Sequence, residues 1–166
     1  VVLDTDAYNE IDDQYAIAYM LRSDDKLNVK AIYAAPFYNE KSVSPKDGME
    51  KSYAEILKIL DLAGKGELKD IVYRGSQDYL SSETEAVKSD AATDLSMRAM
   101  NYSAENPLYV VSIGAITNVA SAIIMKPEIA DRIVIVWLGG HGLDYKDTME
   151  FNMKQDFRAA RVVFEL

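Results

Sequence analysis

The apolar opening Val1-Val2-Leu3 runs directly into Asp4-Thr5-Asp6, followed by Glu10 and then by Asp12-Asp13. Five carboxylates within ten residues repel one another strongly if held close together. That repulsion is relieved by solvation, by protonation or by a bound cation. Hard oxygen donors without histidine or cysteine among them select calcium or magnesium over zinc. The same residues also suit a solvated turn in which Asp12 or Asp13 caps the helix that follows. A cap explains one aspartate and leaves Asp4 and Asp6, at the end of an apolar strand, without a reason. On the residues alone, a metal site and a solvated cap both stand.

These carboxylates must be positioned by the elements around them. Short apolar runs alternate with amphipathic helical patterns, which predicts an α/β fold: an open, mostly parallel sheet with helices on both faces. Strands are expected at Val1–Asp4, Val29–Ala35, Asp70–Arg74, Leu108–Ile113 and Ile133–Leu138. Helices are expected at Gln14–Leu21, Pro45–Leu62, Ala91–Tyr102 and Ile116–Met125, and in the tail from Phe157. In the first helix Ile11, Tyr15, Ala18 and Tyr19 with Leu21 recur at helical spacing and predict its apolar face; Tyr53, Ile56, Leu57 and Leu60 do so in the second. Gly64 and Gly66 are expected to stop the second helix. In open parallel sheets ligands sit beyond the carboxyl ends of the strands. That rule selects the loops 4–13, 36–40 and 112–117 and the stretch after Gly140.

Composition narrows the function classes. The chain has 166 residues, 49% hydrophobic and 27% charged, with a formal net charge of -9, which is an ordinary globular composition. No repeat, linker or low-complexity tract interrupts it, so residues 1–166 are expected to form a single α/β domain. An acidic surface repels phosphate backbones and anionic membranes, which argues against nucleic acid and membrane partners. The absence of cysteine excludes disulfides, zinc–thiolate sites and thiol catalysis. No apolar run is long enough to span a bilayer and no signal-peptide pattern precedes the first strand, so a cytoplasmic location is expected. The chain opens inside an apolar run and closes on Leu166 inside an expected helix, which suggests a fragment lacking a carboxy-terminal part.

Asp4-Thr5-Asp6 followed by Ile11-Asp12-Asp13 resembles the amino-terminal fingerprint of nucleoside hydrolases, the inosine-uridine preferring family. The usual motif places a Pro-Gly turn and fewer residues between the first aspartates and the pair. Here Ala7 to Ile11 intervene, a loop longer by two residues, in which Asn9 or Glu10 is a further candidate for the site. Further segments agree in order: Val72-Tyr73-Arg74-Gly75, Gly114-Ala115-Ile116-Thr117-Asn118-Val119-Ala120, Gly139-Gly140, and Glu150-Phe151-Asn152 with Asp156 and Ala159-Ala160. The resemblance implies a calcium ion (Ca2+) held by Asp6, Asp13 and the carbonyl of Thr117, with Asp6 also the catalytic base that activates water. It implies that Asp12, Asn39, Glu150 and Asn152 bind the ribose. It further implies hydrolysis of the N-glycosidic bond of ribonucleosides, a ribonucleoside as partner, and a homo-oligomer.

Each segment also has a plainer role. Thr117 suits an early helix position, Asn118 a local cap, Glu150 the surface, and Asn39 an ordinary turn. His141, the sole histidine, fits a loop residue without a catalytic part. Two other functions fit part of the pattern: a ribose- or nucleoside-binding module without catalysis, and a magnesium-dependent phosphohydrolase using Asp4 and Asp6. The phosphohydrolase reading leaves the Glu150–Asn152 segment unexplained.

Overall fold

A computed structural model describes residues 1–165; Leu166, the last residue of the expected terminal helix, lies outside the described residues. Five parallel strands form one sheet: β1 (Val2–Thr5), β2 (Ala31–Ala34), β3 (Val72–Arg74), β4 (Leu108–Ser112) and β5 (Ile133–Trp137). Their order is β3-β2-β1-β4-β5, so β1 is central and the chain reverses its direction of growth across the sheet between β1 and β4. The helices are α1 (Ile11–Leu21), α2 (Pro45–Leu62), α3 (Asp90–Arg98), α4 (Thr117–Met125), α5 (Phe151–Gln155) and α6 (Phe157–Phe164).

Helices cover both faces, as expected. On one face Leu3, Ile32 and Ala34 pack with Ile17 and Leu21 of α1 and with Met49, Ile56 and Leu60 of α2. On the other, Val2, Tyr33, Leu108 and Val110 pack with Leu95 of α3, Val119 and Ile123 of α4 and Ala159 of α6. β1 therefore reads as a continuous buried run instead of an alternation, as a strand covered on both faces must. Helix α2 starts where its sequence says it should. The Ser44 hydroxyl accepts from the Asp47 N–H at 3.1 Å, Asp47 accepts from the Val43 N–H at 3.0 Å, and Pro45 occupies the first turn.

The expected apolar face of α1 is corrected by the structure. Ile11, Tyr15 and Tyr19 are 66%, 70% and 74% exposed, while Asp13, Ile17, Met20 and Leu21 are buried. The helix is turned so that Asp13 faces the end of β1, and Ile17, Met20 and Leu21, four, seven and eight residues on, follow it inward. Two shorter corrections concern helix limits. The expected strand from Asp70 begins at Val72, after a 3-10 turn over Gly66–Ile71. The expected helix Ala91–Tyr102 ends at Arg98 and continues as a 3-10 turn over Ala99–Asn101.

Candidate functional site

The reversal between β1 and β4 opens a crevice at the carboxyl ends of these strands, the place where open parallel sheets hold ligands. Asp4 is the third residue of β1, paired with Ser112 of β4. It is fully buried, and its carboxylate accepts from Ser112 Oγ and from Asn118 Nδ2, each at 2.8 Å. Asn118 also donates to the Ala34 carbonyl at 3.2 Å, and its oxygen accepts from the Ser76 N–H at 2.7 Å. One buried amide thus ties the ends of β1 and β2 to the turn after β3. Burial raises Asp4 to about 6, with Asn118 and Ser112 opposing.

Asp6 and Asp13 form the centre. Thr5, the last residue of β1, donates its hydroxyl to Asp13 Oδ1, which holds the first turn of α1 against the strand end. The Asp6 carboxyl is only 1% exposed. Burial raises its pKa well above the ordinary value, and the charge of Asp13 raises it further. Asp13 is raised too, first by burial and then by Asp12 and Glu10, while Thr5 opposes. Among the described residues no lysine, arginine or histidine forms an ion pair with Asp4, Asp6 or Asp13. A buried carboxylate pair without a cationic partner either retains a proton or holds a cation.

The donor chemistry fits a hard divalent cation: two buried carboxylates, one after β1 and one in the first turn of α1, with Thr117, fully buried, at the start of α4. Among the described residues no group of three or more acidic, histidine or cysteine side chains converges, so further donors would have to be carbonyls or other oxygens. Gly114 follows β4 against this pair. A Cβ there would stand 2.7 Å from Asp6 Oδ1 and 3.1 Å from the Ala35 Cβ. Only glycine leaves the carboxylate its position.

Asn39 lies in the same cluster. Its Nδ2 donates to Asn9 Oδ1 at 2.7 Å, and Asn9 Nδ2 donates to Asp6 Oδ2 at 3.0 Å. An open cleft of about 360 Å³ adjoins Asn39, lined by Tyr38, Tyr79, Phe151, Lys154 and Gln155. Gln155 accepts from the Tyr38 N–H at 2.8 Å and from the Tyr79 hydroxyl. Tyr79 is raised out of the usual tyrosine range, first by burial and then by the charges of Asp156 and Asp6, and Asn39 links the cleft through Asn9 to Asp6. A groove of about 380 Å³ between α1 and α2, lined by Ile11, Tyr15 and Leu62, involves none of these groups.

The remaining expected residues are arranged differently. Asp12 is exposed in the first turn of α1. Glu150 caps α5: Oε1 accepts from the Asn152 N–H at 2.9 Å, and Oε2 from the Met153 and Gly140 N–H groups at 2.9 and 2.7 Å. Asn152 is buried and donates to the carbonyls of Leu138 and Ile113 at 2.9 and 3.2 Å, which fixes α5 to the ends of β4 and β5. His141 is an exposed loop residue stacked on Tyr145. Asp156 is 3% exposed and accepts from Leu80 N–H, Thr117 Oγ1 and Ala159 N–H at 2.9, 2.8 and 3.0 Å. Its bracketing of three segments was not foreseen. The available signal was an aspartate at capping distance before Ala159-Ala160.

A sequence profile of the inosine-uridine preferring nucleoside hydrolase family matches residues 1–166. Among solved structures the chain is similar to a purine-preferring ribonucleoside hydrolase from Gardnerella vaginalis, with 26% identity and a TM-score of 0.74 over 98% of this chain and 56% of that one. A plant nucleoside hydrolase shows 23% identity and a TM-score of 0.71 over 98% of this chain and 55% of that one. The type III effector XopQ, solved with adenosine diphosphate ribose, shows 18% identity and a TM-score of 0.67 over 99% of this chain and 51% of that one. The last two likenesses concern the fold alone. The chain thus spans about half the length of the structures it matches. No curated protein sequence matches it significantly. No described helix is long and apolar enough to cross a membrane. With a family profile running from end to end, and a sheet whose order puts the aspartates of that family's fingerprint at its crevice, the chain belongs to the inosine-uridine preferring nucleoside hydrolases.

Proposed function

We propose that the protein hydrolyses the N-glycosidic bond of ribonucleosides in a calcium-dependent reaction, with residues 1–166 as a single catalytic α/β domain. The observation that carries this reading is the buried Asp6–Asp13 pair at the switch between β1 and β4, without a cationic partner among the described residues and linked through Asn9 to Asn39. Family membership supports the reaction class, and the similar hydrolase from Gardnerella vaginalis is described as purine-preferring.

Asp6, Asp13 and the Thr117 carbonyl would hold the cation. When bound, it supplies positive charge that offsets the carboxylate pair and acidifies a neighbouring water. Asp6 accepts the proton of that water as general base. The water oxygen forms a bond to the anomeric carbon, the C–N bond breaks, and the base leaves with the bonding electron pair and takes a proton from solvent, to which Asp6 returns its own. Ribose and free base result.

Asn39 presents an amide to the sugar from the edge of the cleft. Asp12, Glu150 and Asn152 are the other hydroxyl partners in this reading. A carboxylate offers about four lone-pair directions, and the three backbone donors on Glu150 leave it one for a hydroxyl. An unpaired buried hydroxyl would cost about 1–3 kcal/mol, so such partners discriminate ribose from deoxyribose.

The test is release of ribose from inosine and uridine, with and without chelation of calcium. Chelator-sensitive release supports the hydrolase, and Asp6→Asn abolishes it while leaving circular dichroism unchanged. Retention of near wild-type rate in that variant would remove Asp6 as base. Tight nucleoside binding without turnover would instead mark a binding module.

A further inference from the structure

The loop between Asp6 and Asp12 contains a buried asparagine whose polar groups are all engaged at the site. Residues 6–9 form a turn closed by the Asn9 N–H on the Asp6 carbonyl at 2.7 Å, which folds the Asn9 side chain back over the Asp6 carboxylate. Asn9 is 3% exposed. Its Nδ2 donates to Asp6 Oδ2 at 3.0 Å, its Oδ1 accepts from Asn39 Nδ2 at 2.7 Å, and its carbonyl accepts from Lys41 Nζ. Asn39 Oδ1 in turn accepts from the Lys41 N–H at 2.9 Å.

The direction of this chain is dictated by its first member. With a cation bound Asp6 is ionised and only accepts, so Asn9 then turns its NH2 toward Asp6 and its oxygen toward Asn39. Asn39 must then turn its own NH2 toward Asn9, and the second hydrogen of that NH2 is what remains for a ligand. On the opposite side of Asp6, Gly114 lies against Oδ1. One carboxylate oxygen is held by an amide and the other is left facing open backbone.

We infer that Asn9 is a positioning residue that sets, through two hydrogen bonds, both the orientation of the Asp6 carboxylate and the donor face of Asn39. The inference rests on the hydrolase reading for the roles of Asp6 and Asn39. In this reading Asn9 acts through Asp6 and Asn39, to which its side chain is bonded.

The experiment compares Asn9→Ala, Asn39→Ala and the double variant with the wild type in the intact protein, by steady-state hydrolysis of inosine and by calorimetric titration with calcium. Asn39→Ala is expected to raise KM with little change in kcat. Loss of an outer hydrogen-bond partner of a metal-site ligand commonly reduces affinity or activity about 10–100-fold, and Asn9→Ala is expected to lower kcat and weaken calcium binding within that range. Its KM effect should vanish in the Asn39→Ala background, since it acts through that amide. Asn9→Asp, equal in size but unable to donate, is expected to lower kcat similarly and stands in if the alanine variant does not fold. A purely structural Asn9 would lower thermal stability and leave kcat, KM and the calcium Kd of the folded fraction unchanged, which overturns the inference. If the wild type binds calcium but releases no ribose, the hydrolase reading fails. The shift in calcium Kd then decides the Asn9–Asp6 half, and nucleoside affinity of Asn9→Ala against Asn39→Ala decides the other. A wild type with neither turnover nor calcium binding removes both.

Discussion

Replacement of Asp4 by asparagine should make the protein less sensitive to rising pH. Asp4 is fully buried with two neutral donors, Ser112 and Asn118, and no cationic partner among the described residues. Burial raises it from the ordinary aspartate value of 3.8 to about 6. The folded state therefore keeps this proton to a higher pH than the unfolded chain does, and stability falls as pH rises from about 4 through about 6. A shift of about two units corresponds to about 3 kcal/mol, of which about 2 kcal/mol lies between roughly pH 4.5 and pH 7.5. The substitution removes the charge and keeps the bonds: the amide carbonyl accepts from Asn118, and the amide NH2 donates to Ser112 Oγ, a hydroxyl that both donates and accepts. Urea unfolding of chelator-treated wild type and Asp4→Asn at those two pH values provides the measurement. Asp6 and Asp13 are present in both proteins, so their titration largely cancels in the difference. The variant should gain about 2 kcal/mol on the wild type between the lower and the higher pH. A difference that does not change with pH refutes the claim that Asp4 is buried at a cost when ionised.

Gly114→Ala should displace the Asp6 carboxylate, because the new Cβ would stand 2.7 Å from Oδ1; hydrolysis is expected to fall about 10-fold or more, and unaltered kinetics would show that Asp6 has room to move. Asp156→Ala strips acceptors from Leu80, Thr117 and Ala159 in a buried setting. It should cost about 3–5 kcal/mol in denaturant unfolding, and a loss below about 1 kcal/mol would deny the bracketing role. Calcium at about 100 times its Kd should stabilise the fold by about 2.7 kcal/mol, read as a rise in melting temperature. The rise should shrink toward pH 5, because the raised carboxyls of Asp6 and Asp13 then keep protons that compete with the cation; a rise independent of pH would place the cation elsewhere.

The strands and most helices were legible because their signals are local: apolar runs of strand length, the apolar face Tyr53, Ile56, Leu57 and Leu60 of α2, and the glycines after it. The loops that carry the site followed from a rule about parallel sheets, which depends on topology more than on residue detail. The face of α1 was misread because the helix carries two apolar stripes. Ile17, Met20 and Leu21 pack into the core, with Asp13 held by Thr5 on the same side, and the stripe through Ile11, Tyr15 and Tyr19 faces outward. Likewise Asn9 and Asp156 act through partners distant in sequence, and a side chain's type does not reveal where a distant backbone N–H will lie. Glu150 and Asn152 were expected as sugar ligands; their backbone bonds at α5 became visible only with Gly140, Ile113 and Leu138 in place.

The hydrogen bond from Thr5 to Asp13 separates two tasks that a continuous motif would join. Asp6 is anchored by the strand it follows, and Asp13 by a hydroxyl of that same strand, so the distance between the carboxylates does not depend on the number of residues spanning them. Lengthening such a connection costs little, about 0.6 kcal/mol for each doubling. Evolution can therefore insert and recruit residues there without disturbing the pair, and a search for distant relatives should let the gap between the first aspartates and the second pair vary while holding the threonine between Asp4 and Asp6 fixed.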